Sequence, residues 1–595
     1  MQYYDYNQKL RIPDKLFTPL YGVRLNGGLF GRVFENGISF VKKNFEIDRM
    51  CYWYDEKAGK HPTAEPYQHN ALWEGRLKGQ TASLFLMEAG NALRWREDPE
   101  LRAAVDEIVD RIEAAAEADG FILPIDQSGF GRIEYPHYTR IWLTYGLLAA
   151  HRAGNRRALP LLRRFQDWFN ACPDLPVIRY TSLAFQGVVA SPQIYFTEAG
   201  REEDMKIGRK AYEETWRLAQ FIERGSDEAV SVRRQPGVEP HAHGSEIEAY
   251  EGYLDLYRYF GAPYLLNAVL GFRDAYQRSW QHVGGGIVMI ETFGECNPLR
   301  PGSRYFRKTH EGKPSTYNEL CASAFWLQLH QRLHRLFPDN ESYVFEMEES
   351  LYNIAFANQN GDREIRYYAY LDGNKSRSDF LYHCCAGIGS RIFGSLPEYL
   401  FTMKDSTLSV DIFASGTLTW ETPYGIVTVR EETDFPYNGR ISLRLESDAP
   451  HELTLRIRIP CYAAKEVPVL LNGKIVATGK PGSYATIARI FQSGDRLDFE
   501  IPMALTAHPY DGYDRVQGYS SFSYTYGPLL MAVVGERNSE EVGIALPGDN
   551  DSFSGSLRPT GAPLHFAVGD TGYILMPYFE VQEENFTCFP FFKDI

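Results

Sequence analysis

Three cysteines and one glutamate fall into two short motifs that could bind a metal ion. Glu319 and Cys321 form an E-x-C pair, and Cys384 and Cys385 are adjacent in the chain. Thiolate sulfur and carboxylate oxygen are both zinc ligands, and zinc in proteins is commonly four-coordinate and tetrahedral. Glu319 and Cys321 stand at the start of a predicted helix, so one helical turn can present both to the same ion. The two motifs together predict a Zn²⁺ site.

The same cysteines have simpler interpretations. An adjacent pair in a helical protein is often just two small buried hydrophobic residues, or occasionally a disulfide between neighbours. If a metal is bound, a zinc thiolate can be purely structural or it can be an activated nucleophile. The residue pattern by itself leaves these alternatives open.

Length and charge exclude several classes of protein. The chain has 595 residues, a net charge of −15 at pH 7 and a hydrophobic fraction of 44%, so it can form several domains with sizeable cores. The acidic balance and the lack of a basic run argue against a nucleic-acid partner. No apolar run reaches the roughly 18–20 residues of a membrane span, which argues against a membrane protein.

The cysteines and the N-terminus indicate a reducing compartment. The eight cysteines are irregularly spaced, unlike a secreted disulfide framework. No basic stretch followed by an apolar stretch opens the chain, as a signal peptide would require. We therefore expect a cytoplasmic protein, with a periplasmic or secreted location as the alternative if a signal peptide has been removed. The oligomeric state stays open, a homodimer being one option.

Helical periodicity dominates the first two-thirds of the chain. Leu101–Ala118 repeats apolar residues at helical spacing, after an acidic start at Asp98 and before Gly120. Five further segments have the same pattern: Tyr138–Ala153, Leu159–Phe169, Glu246–Phe260, Tyr264–Gln281 and Leu320–Leu336. Helices of this length joined by short loops predict a barrel of helical hairpins rather than a solenoid, because no fixed-period repeat is present.

The pattern changes to strands near residue 400. Val427–Val429, Ile441–Leu445 and Leu453–Ile459 alternate apolar and polar residues, and Leu470–Val476 contains the Asn-Gly signal of a β-hairpin. The segment from Thr407 onward is therefore predicted to form β-sandwiches. We predict three domains, a helical barrel over residues 1–405, a β-sandwich over 406–506 and a second one over 507–595.

Several segments resemble, in the same order along the chain, those of glycoside hydrolase family 127, the β-L-arabinofuranosidase family. They are Gly285–Glu295, Tyr317–Cys321, Cys384-Cys385, Leu455–Pro460 with Leu471–Gly473 after it, and Tyr526–Leu530. The E-x-C and Cys-Cys combination is the specific part of the resemblance. The resemblance implies a mainly α, then β chain, with an (α/α)6 helical barrel followed by β-sandwich (jelly-roll) domains. That fold agrees with the helices and strands that the hydrophobic periodicity predicts independently.

The resemblance also implies a function. It indicates a retaining exo-glycoside hydrolase acting on a furanoside, in the first place a β-L-arabinofuranoside or a related plant or bacterial glycan sugar. It implies that Zn²⁺ is bound by the four residues of the two motifs, Glu319, Cys321, Cys384 and Cys385. Cys384 would also be the nucleophile, and Glu295 the general acid/base, with Glu291 as the nearest rival for that role.

Three histidines are candidates for substrate binding. His243 and, less closely, His137 match family positions that contact the sugar, and His383 stands beside the two cysteines. His383 could contact the sugar or hydrogen-bond a metal ligand, and each of the three could instead be a structural histidine. The segment Arg300–Lys313, rich in Arg and Lys, could meet an acidic sugar or form a solvated loop.

Two other classes of function stay open. The first is another carbohydrate-active helical barrel, either a lyase, whose unsaturated product absorbs in the ultraviolet, or an epimerase, which leaves the glycosidic bond intact. The second is a non-catalytic glycan-binding protein with structural zinc, which would bind sugars with Cys384 replaced and never turn over.

Overall fold

The structure of the chain is a computed structural model. It describes residues 2–3, 10–67, 77–129, 135–171, 189–197, 200–209, 243–279, 281–286, 317–375, 383–510, 516–538 and 542–593. Within these ranges, no helix is both long enough and apolar enough to cross a membrane.

Helices form most of the described part of the chain up to residue 400, as predicted. They are α1 Gly28–Asn44, α2 Ile47–Met50, α3 Tyr52–Lys57, α4 Gln80–Leu93, α5 Pro99–Ala114, α6 Tyr135–Arg152, α7 Ala158–Ala171, α8 Ser191–Tyr195, α9 His243–Phe260, α10 Pro263–Ser279, α11 Leu320–Leu336, α12 Ser342–Glu349 and α13 Cys384–Ser395, with α14 Asn550–Ser556 much later. A π-helical segment, Ser350–Phe356, follows α12.

The ends of the predicted helices follow local capping chemistry. Helix α11 has the predicted bounds. Helix α5 begins at Pro99 because the Asp98 carboxylate accepts hydrogen bonds from the backbone N–H groups of Glu100 and Leu101, both at 3.1 Å. It ends at Ala114, earlier than the predicted Ala118.

The helices form the layers of an (α/α)6 barrel, which confirms the predicted fold class. Every residue of α4 is buried, as expected for an inner helix, whereas α5 buries one apolar stripe, as expected for an outer one. The C-terminal parts of α4, α6, α8, α9, α11 and α13 line one shared cavity. Because these ends converge, the inner helices run parallel, and their N-terminal ends lie together at the opposite end of the barrel.

Strands replace helices after residue 400, beginning at Phe401 rather than at the predicted Thr407. The strands within the described residues are, in chain order, β1 Val23–Leu25, β2 Tyr317–Glu319, β3 Gln359–Asn360, β4 Glu364–Ile365, β5 Tyr368–Tyr370, β6 Asp372–Gly373, β7 Phe401–Lys404, β8 Thr407–Val410, β9 Gly416–Thr422, β10 Gly425–Thr433, β11 Arg440–Ser447, β12 His451–Ile459, β13 Val467–Leu471, β14 Lys474–Gly479, β15 Ser483–Phe491, β16 Arg496–Glu500, β17 Leu505–Tyr510, β18 Tyr519–Tyr526, β19 Leu529–Val534, β20 Ala545–Leu546, β21 Leu557–Pro559, β22 Phe566–Val568, β23 Ile574–Pro577, β24 Phe586–Thr587 and β25 Phe591–Lys593.

Two sheets follow the barrel and a third closes the chain. The first two have the orders β1-β9-β10-β11-β16-β13-β14 and β15-β12-β8-β7, and the third joins β17–β25 with β6. The predicted hairpin is present: Asn472 and Gly473 connect β13 to β14 with φ angles of 49° and 79°, as a type I′ turn requires. Strand β1 pairs with β9, so an N-terminal segment completes a sheet of the sandwich. The domain boundaries at residues 405 and 506 stay predictions.

A buried ion network joins the barrel to the first sandwich. The Arg458 guanidinium on β12 donates to Glu341 at 2.7 Å and to Glu348 at 2.9 Å, and the Tyr462 hydroxyl also donates to Glu348, at 2.8 Å. The side chains of Arg458, Glu341 and Glu348 are each at most 1% exposed. The network therefore fixes β12 against the barrel.

We expect Arg458→Leu to destabilise the protein strongly. The substitution leaves two carboxylates buried without their cation, a change that costs about 3–5 kcal/mol. Thermal and urea unfolding should detect it as a lowered midpoint. Arg440→Leu is the control, because Arg440 is 82% exposed and its ion pair with Glu500 is 3.8 Å long. Equal midpoints for the two variants would contradict the prediction.

Candidate active site

The structure brings the two cysteine motifs together at the N-terminal ends of two inner helices. Cys321 is the second residue of α11, and Cys384 and Cys385 open α13. The three sulfur atoms all lie within 4.8 Å of one another, and Sγ of Cys385 is 3.0 Å from Sγ of Cys321. The backbone N–H of Cys321 donates to Sγ of Cys385 at 3.4 Å, and this hydrogen bond links the N-terminal ends of α11 and α13. None of the three cysteines forms a disulfide.

Glu319 extends this group by one carboxylate. It is the last residue of β2 and immediately precedes α11, so the E-x-C spacing spans a strand end and the first helical turn. Its Oε1 lies 3.6 Å from Sγ of Cys385, and the residue is 1% exposed. Three thiols and a buried carboxylate within this small volume form a group that can hold a metal ion, as the sequence predicted.

Cys384 differs from the other two cysteines in access and ionisation. It is half-buried, whereas Cys321 and Cys385 are buried. Hydrogen bonds from the thiols of Cys321 and Cys385, together with one from the Tyr367 hydroxyl, hold the pKa of Cys384 well below its usual range. Burial raises the pKa of both Cys321 and Cys385. Cys384 is therefore the sulfur of the group that is both most acidic and most open to a ligand.

Tyr367 is a residue of this site that the motifs did not reveal. Its hydroxyl lies 3.3 Å from Sγ of Cys384. The antiparallel pairing of β2 with β5 places it there, because Glu319 is the register partner of Tyr368. Spacing along the sequence carries no signal for this contact; only the pairing of two short strands creates it.

His383 caps the helix that carries Cys384. Its Nδ1 accepts a hydrogen bond from the backbone N–H of Ala386 at 3.0 Å, and its ring packs on Tyr367 with centroids 5.0 Å apart. Because Nδ1 accepts, the ring proton of neutral His383 resides on Nε2. His383 thus has a structural role at the start of α13, and its contact with sugar stays a prediction.

The remaining candidate residues are placed only in part. His137 lies in the first turn of α6 and His243 is the first residue of α9, so both backbones lie at the same end of the barrel as Cys384. Their predicted contact with substrate stays untested. Glu295, its rival Glu291 and the basic segment Arg300–Lys313 lie outside the described residues.

Similarity to known sequences covers both halves of this architecture. Residues 22–398 match the family model of the β-L-arabinofuranosidase GH127 catalytic domain, and residues 407–503 match that of the GH127 middle domain. A non-reducing end β-L-arabinofuranosidase of Bifidobacterium longum is 23% identical over 512 residues, which cover 75% of this chain and 74% of the relative.

Solved structures agree with the fold. A GH127 β-L-arabinofuranosidase from Geobacillus stearothermophilus T6 superposes with a TM-score of 0.71 at 17% identity, covering 96% of this chain and all of its own. A second GH127 β-arabinofuranosidase superposes with a TM-score of 0.73 at 17% identity, covering 99% and 98% of the two chains. Since the catalytic-domain model alone spans more than half of the sequence and the barrel and sandwich follow in the family's order, the chain belongs to glycoside hydrolase family 127 and is a glycoside hydrolase.

Proposed function

We propose that this enzyme is a retaining exo-glycosidase that releases β-L-arabinofuranose, or a related furanose, from a plant or bacterial glycan, with Cys384 as its nucleophile. The observation that carries the proposal is the environment of Cys384, the half-buried and most acidic sulfur of the three-cysteine group. A metal-binding group with one accessible thiolate suits attack at carbon better than a closed structural site does. The sugar and the exo action are inferred from the family and from the relative that acts at non-reducing ends.

Zinc is the metal that best suits this donor set. Sulfur-rich sites select zinc over hard cations such as Mg²⁺ and Ca²⁺, and Glu319, Cys321, Cys384 and Cys385 supply the four ligands that a tetrahedral site needs. The sulfur atoms lie within 4.8 Å of one another and one pair is 3.0 Å apart, values on either side of the separation of about 3.8 Å expected for two sulfur ligands at a tetrahedral angle on Zn–S bonds of about 2.3 Å. When bound, zinc would keep the thiols ionised and fix their positions.

In the first step, Sγ of Cys384 attacks the anomeric carbon of the furanose. A C–S bond forms while the glycosidic C–O bond breaks, and Glu295 donates a proton to the departing oxygen. Tyr367, at 3.3 Å from Sγ, orients the thiolate for this attack. The product is a thioglycoside on Cys384 that takes the place of the carboxylate ester in the usual retaining scheme.

In the second step, the ionised Glu295 takes a proton from water, and the resulting hydroxide attacks the same carbon. The C–S bond breaks and its electron pair returns to Cys384 as thiolate. Two successive inversions leave the sugar with its original anomeric configuration. His137, His243 and His383 are the proposed contacts to the sugar hydroxyls.

A hydrolysis screen tests the proposed reaction. The purified enzyme would be offered β- and α-L-arabinofuranosides, galactofuranosides and pyranosides, with Cys384→Ser as the control and NMR to follow the anomeric proton of the first product. We expect release of arabinose with the β configuration from a β-furanoside. An ultraviolet-absorbing product would support the lyase alternative, and epimerised but uncleaved substrate the epimerase alternative. Binding without turnover would support the glycan-binding protein.

We expect one tightly bound zinc ion per chain, because three thiolates and a carboxylate complete its coordination without water. Elemental analysis of protein purified under reducing conditions should give a zinc-to-protein ratio near one. Cys321→Ser should lower that ratio, and Cys588→Ser, at a buried cysteine outside the group, should not. Full activity in protein that lacks stoichiometric zinc would contradict the prediction.

We expect Tyr367→Phe to reduce the rate of the first step by roughly 10–100-fold, because a hydrogen bond to a charged group contributes about 1.5–3 kcal/mol. Pre-steady-state release of an aryl leaving group measures that step, and zinc content should stay at the wild-type value. Tyr437→Phe is the control, since it removes a hydroxyl bonded to Glu580 at 2.5 Å and away from the cysteines. Equal rates in the two variants would show that Tyr367 does not orient the nucleophile.

A further inference from the structure

A polar cavity lies at the end of the barrel opposite the cysteine group. It is the one formed by the C-terminal parts of six inner helices, and its volume is about 110 Å³. Arg391, on the wall of this cavity, follows Cys384 by seven residues on the same helix, about 10 Å along the axis. The cavity is therefore separate from the proposed catalytic residues.

Guanidinium groups dominate the wall of this cavity. Its arginines are Arg94, Arg152, Arg258, Arg332, Arg335 and Arg391, whereas Asp255 and Glu398 are the carboxylates that line it. Helices α6, α9 and α13 contribute one arginine each, α11 contributes two, and the sixth, Arg94, follows the last residue of α4. The wall thus carries more positive than negative side chains.

Four of the arginines have carboxylate partners. Arg94 pairs with Glu398 at 2.8 Å, and Arg258 pairs with Asp255 at 2.9 Å. Behind the wall, Glu251 pairs with Arg332 and Asp14 pairs with Arg258, while Arg335 lies 3.7 Å from Asp14. In total, four carboxylates pair with the six arginines of the cavity, so the arginines outnumber their carboxylate partners by two.

The remaining two arginines, Arg152 and Arg391, form no ion pair within the described part of the chain. Buried nitrogen atoms of both side chains, Nε of Arg152 and one terminal nitrogen of Arg391, have no hydrogen-bond partner among the described residues. Arg391 instead stacks over the ring of Tyr145 at 4.1 Å. Two buried carboxyl groups lie close to Arg391, and burial raises the pKa of both, to about 8 for Glu248 and to about 7 for Glu251, which weakens the negative charge that they offer near pH 7.

Capping of helix ends does not account for these arginines. Cations near helix C-termini commonly bind the last carbonyl groups. Here backbone N–H groups of the N-terminal segment do so: Arg11 and Ile12 donate to the carbonyl of Arg258 at 3.0 Å, and Lys15 donates to the carbonyl of Arg335 at 2.9 Å. Arg152 and Arg391 donate to no carbonyl group within the described residues, so their guanidinium groups remain available to a ligand.

We propose that this cavity binds a small tetrahedral oxyanion, phosphate or sulfate. Planar guanidinium groups donate paired hydrogen bonds to such anions, and two of them here, Arg152 and Arg391, form no ion pair with a described carboxylate and keep buried N–H groups without a partner among the described residues. The volume is below the roughly 300–1,000 Å³ of pockets for larger organic ligands, which suits a single small ion. Arg152, Arg335 and Arg391 are half-buried, which leaves the anion a path from solvent.

Equilibrium dialysis with radiolabelled phosphate tests this site, using the full-length, zinc-loaded protein at constant ionic strength set with sodium chloride. We expect one phosphate per chain, displaced by sulfate and not by chloride or acetate. Arg391→Gln and Arg152→Gln should each raise the dissociation constant by about tenfold or more. Arg366→Gln is the control, because Arg366 is buried outside the cavity and bonds to Gln582 at 3.1 Å.

Thermal unfolding gives a second measurement. A ligand that binds only the folded state raises the unfolding midpoint, so phosphate should raise it in wild-type and Arg366→Gln protein and much less in Arg152→Gln. Because Arg152 is the last residue of α6 whereas Arg391 lies within α13, the Arg152 variant should fold even if Arg391→Gln does not. The proposal is overturned if wild-type protein binds no phosphate at a concentration of about 10 mM, because a dissociation constant above that value is no tighter than a weak contact with the protein surface. It is equally overturned if Arg152→Gln binds phosphate as tightly as wild type.

Discussion

Cys384→Ser should abolish hydrolysis of furanosides, with a loss of roughly 10⁴–10⁶-fold, the range typical of a removed nucleophile. A serine hydroxyl is not ionised at neutral pH, and its oxygen cannot substitute for the thiolate whose pKa the neighbouring thiols and Tyr367 lower. The initial rate on the best furanoside from the screen measures the effect. Cys461→Ser is the control, since Cys461 is an exposed thiol outside the three-cysteine group and its loss should leave the rate unchanged.

Covalent labelling separates the roles of the three cysteines, all of which are proposed zinc ligands. A furanose mimic carrying an epoxide or bromoacetamide should modify Cys384 and spare Cys321 and Cys385, because the nucleophile faces the anomeric carbon and the two buried sulfur atoms face the metal. Zinc content has to be measured beside the rate, since Cys384→Ser also removes one ligand. A label found by peptide mapping on Glu295 or Glu319 would instead support two catalytic carboxylates and a structural metal.

Glu295→Gln should slow hydrolysis of natural glycosides by about 10²–10⁴-fold, the usual contribution of a general acid. Glutamine keeps the size of the side chain and removes the proton that the departing oxygen needs. An aryl glycoside with an acidic leaving group needs less protonation, so its cleavage step should lose much less rate. A comparison of the two substrate classes under single-turnover conditions measures this difference.

Glu291→Gln serves as the matched comparison, since it makes the same substitution at the nearest rival glutamate, which stands earlier in the same segment of the sequence. We expect it to act near the wild-type rate on both substrate classes. If Glu295→Gln stays within about twofold of wild type on natural glycosides while Glu291→Gln is slowed strongly on them and only weakly on aryl glycosides, the acid/base role belongs to Glu291.

Local patterns in the sequence were sufficient for the class of fold, and together with the family resemblance they identified the members of the three-cysteine group. The apolar period of α11 predicts its bounds at Leu320 and Leu336, and the Asn-Gly pair predicts the turn at Asn472, because both signals depend on neighbours a few residues apart. The E-x-C and Cys-Cys motifs, with the family resemblance, identified three thiols that the structure places within 4.8 Å. Short-range periodicity and chemically distinctive residue types can both be recognised directly in a sequence.

Only the tertiary structure decided which distant residues meet. The pairing of β2 with β5 brings Tyr367 to Cys384, and β1 completes a sheet nearly four hundred residues away by pairing with Leu418. The ion network of Arg458 and the arginine cavity arise in the same way, from elements that touch without sharing a local pattern. Such contacts depend on how helices and sheets pack across the whole barrel, and a charged residue in the sequence gives no sign of whether it will be exposed, paired or left facing a cavity.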